Sequence, residues 1–359
     1  MYEFINQLLN GVSLGAIYAL IAVGYTMVYG IIKLINFAHG EFLMVGAFIG
    51  YYALTRLADS AFPPVAGFLL VLIVAGVIVG VLAVIVDILA YRPVRKAGRI
   101  AALLTAIGAS LFLQNLTMQV IGAEQRGYGQ PFAKRRFPAP RRVPVRELDE
   151  AMLSRYRVSI PPSALSGQPQ GHLMIAADDE PGRVLAELRQ QGVEEVLLAS
   201  RIAIDNYQLI VLMTLALSGL SLYLLVSHTQ MGRAMRAVSF DREAASLMGI
   251  NANRVISFTF FVGAFFAGVC GVLIGMTYNT VDPQMGVMPG LKAFVAAVLG
   301  GIGRIPGAIL GGFLMGMTEA LVVAYGSSSY RDAVAFGILI LVLLLRPQGL
   351  LGRTEEEKV

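Results

Sequence analysis

Asn36, His39, Glu41, Gln114, Asn115 and Glu319 are candidate functional residues, ionisable or amide side chains inside otherwise apolar stretches of the sequence. A group of this kind is costly to bury in an apolar medium and faces a partner or a polar path. Asn36, His39 and Gly40 are one helical turn apart and share a face. Two readings of that cluster stand. One is a polar lining or hinge, with Gly40 breaking the helix; the other is a helix entry satisfied by backbone and headgroups. Gln114 and Asn115 are expected to bond across helices, and Asp87 to lie at an interface near Arg92. Glu319 is either structurally paired or path-lining. Enzyme chemistry finds no foothold. His39, His172 and His228 are far apart in sequence and H-E-x-x-H does not occur; the letters G-x-S-x-G occur at Gly11–Gly15, but within the apolar segment 6–31 and not at a strand-to-helix nucleophile elbow. The single cysteine, Cys270, allows no disulfide within the chain and no Cys-rich metal site.

The elements that must position these groups are apolar helices. Apolar residues make up 56% of the 359 and charged residues only 14%, with a mean hydropathy of +0.69. A soluble domain carries about 25% charged residues, so this chain cannot cover a soluble surface. Apolar segments run over 6–31, 34–54, 65–90, 101–122, 206–227, 255–278, 287–303, 306–325 and 332–349. A bilayer span needs roughly 20 such residues. The expected fold is all-α: a polytopic transmembrane helical bundle of about eight or nine segments with a long polar external insertion. Segment 287–303 is short and reads as a partial or re-entrant helix, ended by Gly300, Gly301, Gly303, Arg304 and Pro306. The expected domains are transmembrane helices over 1–122, the insertion over 123–205, helices with a cytoplasmic loop 228–254 over 206–350, and a tail over 351–359.

Charge placement orients the chain. The first 30 residues hold no Lys or Arg, whereas a signal peptide needs a basic start; segment 6–31 therefore reads as a retained span with its N-terminus outside. Loop 91–99 carries Arg92, Arg95, Lys96 and Arg99, and loop 228–254 carries Arg233, Arg236, Arg242 and Arg254. Short basic loops face the cytoplasm, which puts the tail inside and 123–205 outside. The net charge of +5 belongs to this orientation and does not point to nucleic acid. The insertion holds 12 of the chain's 28 Lys and Arg and 11 of its 23 Asp and Glu. Its Pro- and Arg-rich first part reads as loop. Further on, 172–177 and 196–199 could be strands about a helix over 181–191, so both a miniature folded domain and an irregular extension stay open.

Loop 228–254 carries the most informative motif. Ser239 or Asp241 can cap a short helix, and Gly249 can end it in a left-handed conformation. Ala244 and Ala245 allow close approach of another protein, and Leu247 and Met248 offer apolar grip. The bland reading is an amphipathic helix resting on headgroups. The pattern Glu243-Ala244-Ala245 to Gly249 resembles the coupling loop of bacterial ABC importer permeases, which docks into a groove of a cytoplasmic ATPase. The chain as a whole resembles the branched-chain amino acid ABC permease family, specifically its shorter permease subunit. The resemblance lies in Asn10–Gly15, Tyr18–Ile32, Ile35-Asn36-Phe37-Ala38-His39-Gly40-Glu41, Ala90–Arg95 and Ala293–Ala308. It covers nearly all of 1–122 and 206–359; the family usually has a much shorter loop where 123–205 lies.

That resemblance implies a permease in the inner membrane that works by alternating access. Its implied partners are a second related permease, two ABC ATPases and a periplasmic substrate-binding protein. Arg236, Asp241, Arg242, Glu243, Ala244, Ala245, Leu247 and Gly249 would form the coupling element. The chain has no G-x-x-x-x-G-K-[ST] loop, so ATP would be bound by the partners, and no cofactor is expected. Relatives of the family move urea, short amides or other amino acids, so cargo stays open. A carrier independent of ATP is the competing class, and it would be expected to show two repeated halves with broken helices.

Overall fold

The structure, a computed structural model, describes residues 2–33, 36–58, 63–95, 97–129, 131–132, 134–139, 141–149, 152, 156–159, 185, 188–189, 193, 195–200 and 202–352. The chain divides into two compact units, Met1–Leu9 with Lys134–Leu209, and Asn10–Ala133 with Ile210–Val359.

Each of the nine apolar segments is a helix among the described residues. They are α1 (Tyr2–Ile32), α2 (His39–Ala58), α3 (Pro64–Val86), α4 (Arg99–Ile121), α5 (Asn206–His228), α8 (Ala252–Tyr278), α9 (Val287–Gly300), α10 (Ile305–Tyr325) and α11 (Arg331–Leu345); two short helices, α6 (Gln230–Phe240) and α7 (Arg242–Leu247), join α5 to α8. Helix is the form an apolar segment takes in lipid, because each backbone polar group must be satisfied within the segment. Local signals set the ends. Pro64 and Pro306 stand in the first turns of α3 and α10, where no N–H is missed. Asn251 Oδ1 accepts from Arg254 N at the start of α8, and Asn279 closes that helix at φ 55°. Seven helices among the described residues are long and apolar enough to cross a membrane. The short α9, at 14 residues, spans about 21 Å against a hydrocarbon core of about 30 Å. The α2 helix, which carries Glu41 and Arg56, also falls outside the seven.

Small residues set how these helices pack. Gly46 lies on Gly268 and Gly50 on Val272, so α2 and α8 run parallel; Gly76 lies on Phe265 and Gly80 on Phe261, so α3 runs antiparallel to α8. A Cβ at Gly15 would stand 2.7 Å from Phe313 Cα, and this close approach holds α1 against α10. Helix α8 is the hub, with Ala267, Cys270, Val272 and Leu273 fully buried.

The smaller unit contains a three-stranded antiparallel sheet in the order β3 (Arg141–Pro144), β5 (Glu195–Ser200), β4 (Tyr156–Ser159). Val158 pairs with Leu198, and Val143 with Val196. Val145, Leu148, Val158, Leu188, Val193, Val196 and Leu198 make a core, with Val143 and Leu185 packed against it. The strand expected at 196–199 falls within β5, whereas the one at 172–177 and most of 181–191 lie outside the described residues. Short two-residue pairs complete the strands: β1 (Arg126–Gly127) with β7 (Thr280–Val281), and β2 (Arg136–Phe137) with β6 (Ile204–Asp205).

Candidate functional site

The loop between α5 and α8 folds into α6 and α7. Thr229 Oγ1 accepts from Gly232 N at 3.0 Å to start α6. Asp241 Oδ1 accepts from Glu243 N at 2.8 Å and Ala244 N at 3.0 Å to start α7, an N-cap that satisfies donors left free in the first turn. Ser239, the other expected cap, instead donates to Arg236 O within α6. Gly249 ends the turn at φ 82°. Met235, Val238 and Ala245 face inward and are buried, so of the two alanines only Ala244 faces out. Arg236 donates to Val226 O in the last turn of α5 and thus fastens the loop to its own span. Phe240, Leu247 and Met248 are 95%, 89% and 83% exposed. Three large apolar side chains therefore stand open on one short segment.

The second site is a buried polar cluster where α2 begins. Gly263 lies eleven residues into α8, about 16 Å along its axis. His39 meets Gly24 there, and Gly24 meets Gly263; α2 therefore starts beside the middle of α8. The first turn of α9 arrives at the same place, since a Cβ on Gly40 would stand 2.5 Å from Gly286 O. Gly40 does not break α2: it lies in its first turn and lets the starts of α2 and α9 touch. The His39 ring packs on Tyr25 with centroids 4.5 Å apart. Asn36 Oδ1 caps the entry by accepting from Ala38 N at 3.1 Å, and it also accepts from Tyr91 Oη at 2.6 Å. Glu41 Oε1 accepts from Ser110 Oγ on α4 at 3.1 Å. Among the described residues, Thr26 Oγ1, Asn36 Nδ2, His39 Nε2 and Glu41 Oε2 are buried and find no hydrogen-bond partner. Buried polar atoms left unpaired are rare and costly, and three of these, on Asn36, His39 and Glu41, belong to the first residues at the α2 entry.

A chain of polar contacts links the two sites. Arg242 Nη2 on α7 donates to Asn253 Oδ1 on α8 at 3.1 Å, and Arg95 Nη1 donates to the same oxygen at 3.1 Å. Arg95 pairs with Asp87, whose second oxygen accepts from Ser257 Oγ at 2.7 Å. Burial lowers the pKa of the Arg95 guanidinium from its ordinary value, and the Asp87 carboxylate opposes that shift. Asp87 and Tyr91 open and close a π-helical turn, Asp87–Tyr91, at the end of α3, and Tyr91 reaches Asn36. The expectation of an interfacial Asp87 beside Arg92 is therefore corrected. Asp87 is fully buried and its partner is Arg95, because the wider turn puts Asp87 and Tyr91 on the packed face and leaves Arg92 outside.

Glu319 stands in a separate cluster. Oε1 receives Lys292 Nζ at 3.2 Å and the Arg331 Nε, while Oε2 accepts from Tyr18 Oη at 2.8 Å. Lys292 Nζ also reaches Asp332 Oδ1 at 2.7 Å. Lys292, Arg331 and Asp332 were missed in the sequence reading, although a lone lysine inside the apolar 287–303 segment calls for a carboxylate partner. Gln114 and Asn115 join neither cluster. Asn115 Nδ2 donates to Leu111 O of its own helix at 2.7 Å and is exposed. An amide side chain reaches its own preceding turn more readily than a neighbouring helix when it points outward, which corrects the expected cross-helix bond.

Over residues 7–343 the chain matches the family model described as branched-chain amino acid transport system / permease component. It is 38% identical over 360 residues to the high-affinity branched-chain amino acid transport system permease protein BraD of Pseudomonas aeruginosa, covering 100% of this chain and 99% of that protein. It is 41% identical over 359 residues to the permease protein LivH of the corresponding high-affinity system in Escherichia coli, covering 99% and 98%. A probable branched-chain amino acid transport permease protein of Methanocaldococcus jannaschii is 27% identical over 340 residues, covering 93% and 88%. No solved structure matches the chain.

Proposed function

Since this chain belongs to the branched-chain amino acid transport permease family, we propose that it is the membrane-spanning permease subunit of an ABC importer carrying branched-chain amino acids across the inner membrane. A second related permease, two cytoplasmic ATPases and a periplasmic binding protein complete the machine. The N-terminus lies outside, and α6, α7 and the tail face the cytoplasm. The relatives BraD and LivH carry the same cargo in their names, which supports this cargo over urea or short amides.

The observation that carries the reading is the capped helix α7 with Phe240, Leu247 and Met248 open around it. A helix of six residues cannot stand alone, and this one is fastened to the bundle through Ala245 and Arg242 while its apolar side chains remain free. It fits a groove on a partner. In the proposed cycle, ATP closes the two ATPases and their motion pushes α7. The push enters α8 through Arg242 and Asn253 and reaches the α2 entry through Arg95, Asp87, Tyr91 and Asn36. Helix α8 packs on α2 and α3 through glycine contacts, so its tilt moves the two start points that meet at Gly40 and Gly286. Alternating access follows from a change in that junction.

The test is to extract the tagged chain gently from its native membrane and identify what copurifies. Two ATPases and a second permease are expected. A chain that comes away alone from intact membranes and still moves leucine without ATP would show an independent carrier instead.

A further inference from the structure

Beside Glu319 lies a cavity of about 220 Å³, bounded by α1, α8, α9 and the start of α11. We propose that it binds the cargo itself, a zwitterionic α-amino acid with an aliphatic side chain, and that Lys292 and Arg331 receive the carboxylate. This rests on the importer reading and adds to it the place where the permease holds its substrate.

The lining divides by chemistry. Leu14, Ile17, Ile274, Met285 and Met288 supply apolar wall. Lys292 and Arg331 stand on one side, with the hydroxyls of Tyr18, Tyr278 and Thr280 among the remaining lining groups. An apolar cavity of about 150 Å³ holds a benzene ring, so this volume takes a small branched side chain with its backbone groups. The two cations are held in place from behind: Glu319 accepts from Lys292, Arg331 and Tyr18, and Asp332 pairs with Lys292. Two cations and two carboxylates make the set neutral. Tyr18 gives its proton to Glu319, so its oxygen is left as an acceptor for an ammonium group.

That balance selects the ligand class. A zwitterion brings one charge of each sign and leaves the half-buried set neutral, with its carboxylate on Lys292 and Arg331 and its ammonium on the hydroxyl oxygens. A simple carboxylate of the same shape leaves the half-buried set with an extra negative charge, and a simple amine with an extra positive one, each of which adds a desolvation cost that the zwitterion avoids. An uncharged amide leaves the set neutral too, but its carbonyl accepts only the weaker hydrogen bonds of a neutral group from Lys292 and Arg331, where a carboxylate accepts charge-assisted ones. The aliphatic side chain lies against Leu14, Ile17, Ile274 and Met288, where matching apolar surface is removed from water.

The experiment uses the assembled importer carrying Met288→Cys. Met288 is partly exposed and Cys270 fully buried, so a thiol reagent reports position 288. Leucine at millimolar concentration is expected to slow labelling; 4-methylpentanoate, 3-methylbutylamine and urea are expected to leave it unchanged. Adding Lys292→Gln should weaken protection by about 10- to 100-fold, the loss of a charged hydrogen bond. Met288→Trp fills the cavity without touching the ion cluster and should abolish leucine uptake while the subunits still copurify. Full leucine uptake by the Met288→Cys complex with no protection at position 288 would overturn the cavity assignment and leave the importer intact. Failure of the wild-type complex to import leucine at all would remove both.

Discussion

At the scale of single residues, the account depends on charges that are buried in pairs. Asp87 and Arg95 lie out of water between α3 and α8. Breaking such a pair from one side costs about 3–5 kcal/mol, because it strands the other charge, whereas replacing both members by apolar groups is far milder. Asp87→Ala is therefore expected to lower the thermal stability of the detergent-solubilised protein strongly, and Asp87→Ala with Arg95→Met to restore most of it. Equal losses in the single and double variants would mean that the pair has no such role. If the polar chain also transmits the push from α7, the rescued double variant will be stable yet slow in uptake. Arg242→Ala, on the exposed side of Asn253, should leave stability within about 0.5 kcal/mol and still reduce ATP-driven uptake.

At the scale of elements, close helix contacts explain why so much glycine stands in apolar segments. Gly15 on α1 meets the Phe313 backbone at a distance that admits no further carbon, whereas Gly108 on α4 has open space around it. Gly15→Leu should greatly reduce the yield of folded protein by pushing α1 off α10, and Gly108→Leu should be tolerated; similar yields for both would contradict the packing. In the smaller unit, Val196 is fully buried at the centre of the sheet. Val196→Asp should make 134–209 sensitive to protease while the membrane helices persist. Helices were the most legible feature of the chain, because a run of apolar residues in lipid has only one local solution. The 239–249 turn was equally plain, since an Asp cap and a Gly stop act within a few residues of each other. The clusters were less legible. Nothing within 287–303 says that Lys292 meets Glu319 27 positions later, and nothing around Asp87 announces the π-helical turn that hides it. The same limit applied to Asn115, where the face it turns outward is set by tertiary packing that its own segment does not encode.

At the scale of the whole molecule, the chain reads as one part of a larger machine. Exposed apolar surface on α7 and the short α9 starting beside α2 in mid-bundle both suit a permease that is moved from outside. The proposed orientation makes a simple expectation: a reporter cysteine at Ser166 in the insertion should react with an impermeant thiol reagent added to intact cells whose outer envelope is opened, while one at Leu247 should react only after lysis. The reverse pattern would invert the topology. The most direct test of the central claim is leucine uptake into proteoliposomes holding the complete importer, with ATP supplied to the ATPases and hydrolysis measured in parallel. The wild-type complex should accumulate leucine only with ATP. Glu243→Arg and Ala244→Trp, which disturb the face presented by α7, should lose about 30-fold or more in coupling, the worth of one interface anchor of about 2 kcal/mol, while the lipid-embedded fold stays intact. Uptake by both variants at the wild-type rate, or accumulation by this chain alone without ATP, would contradict the account.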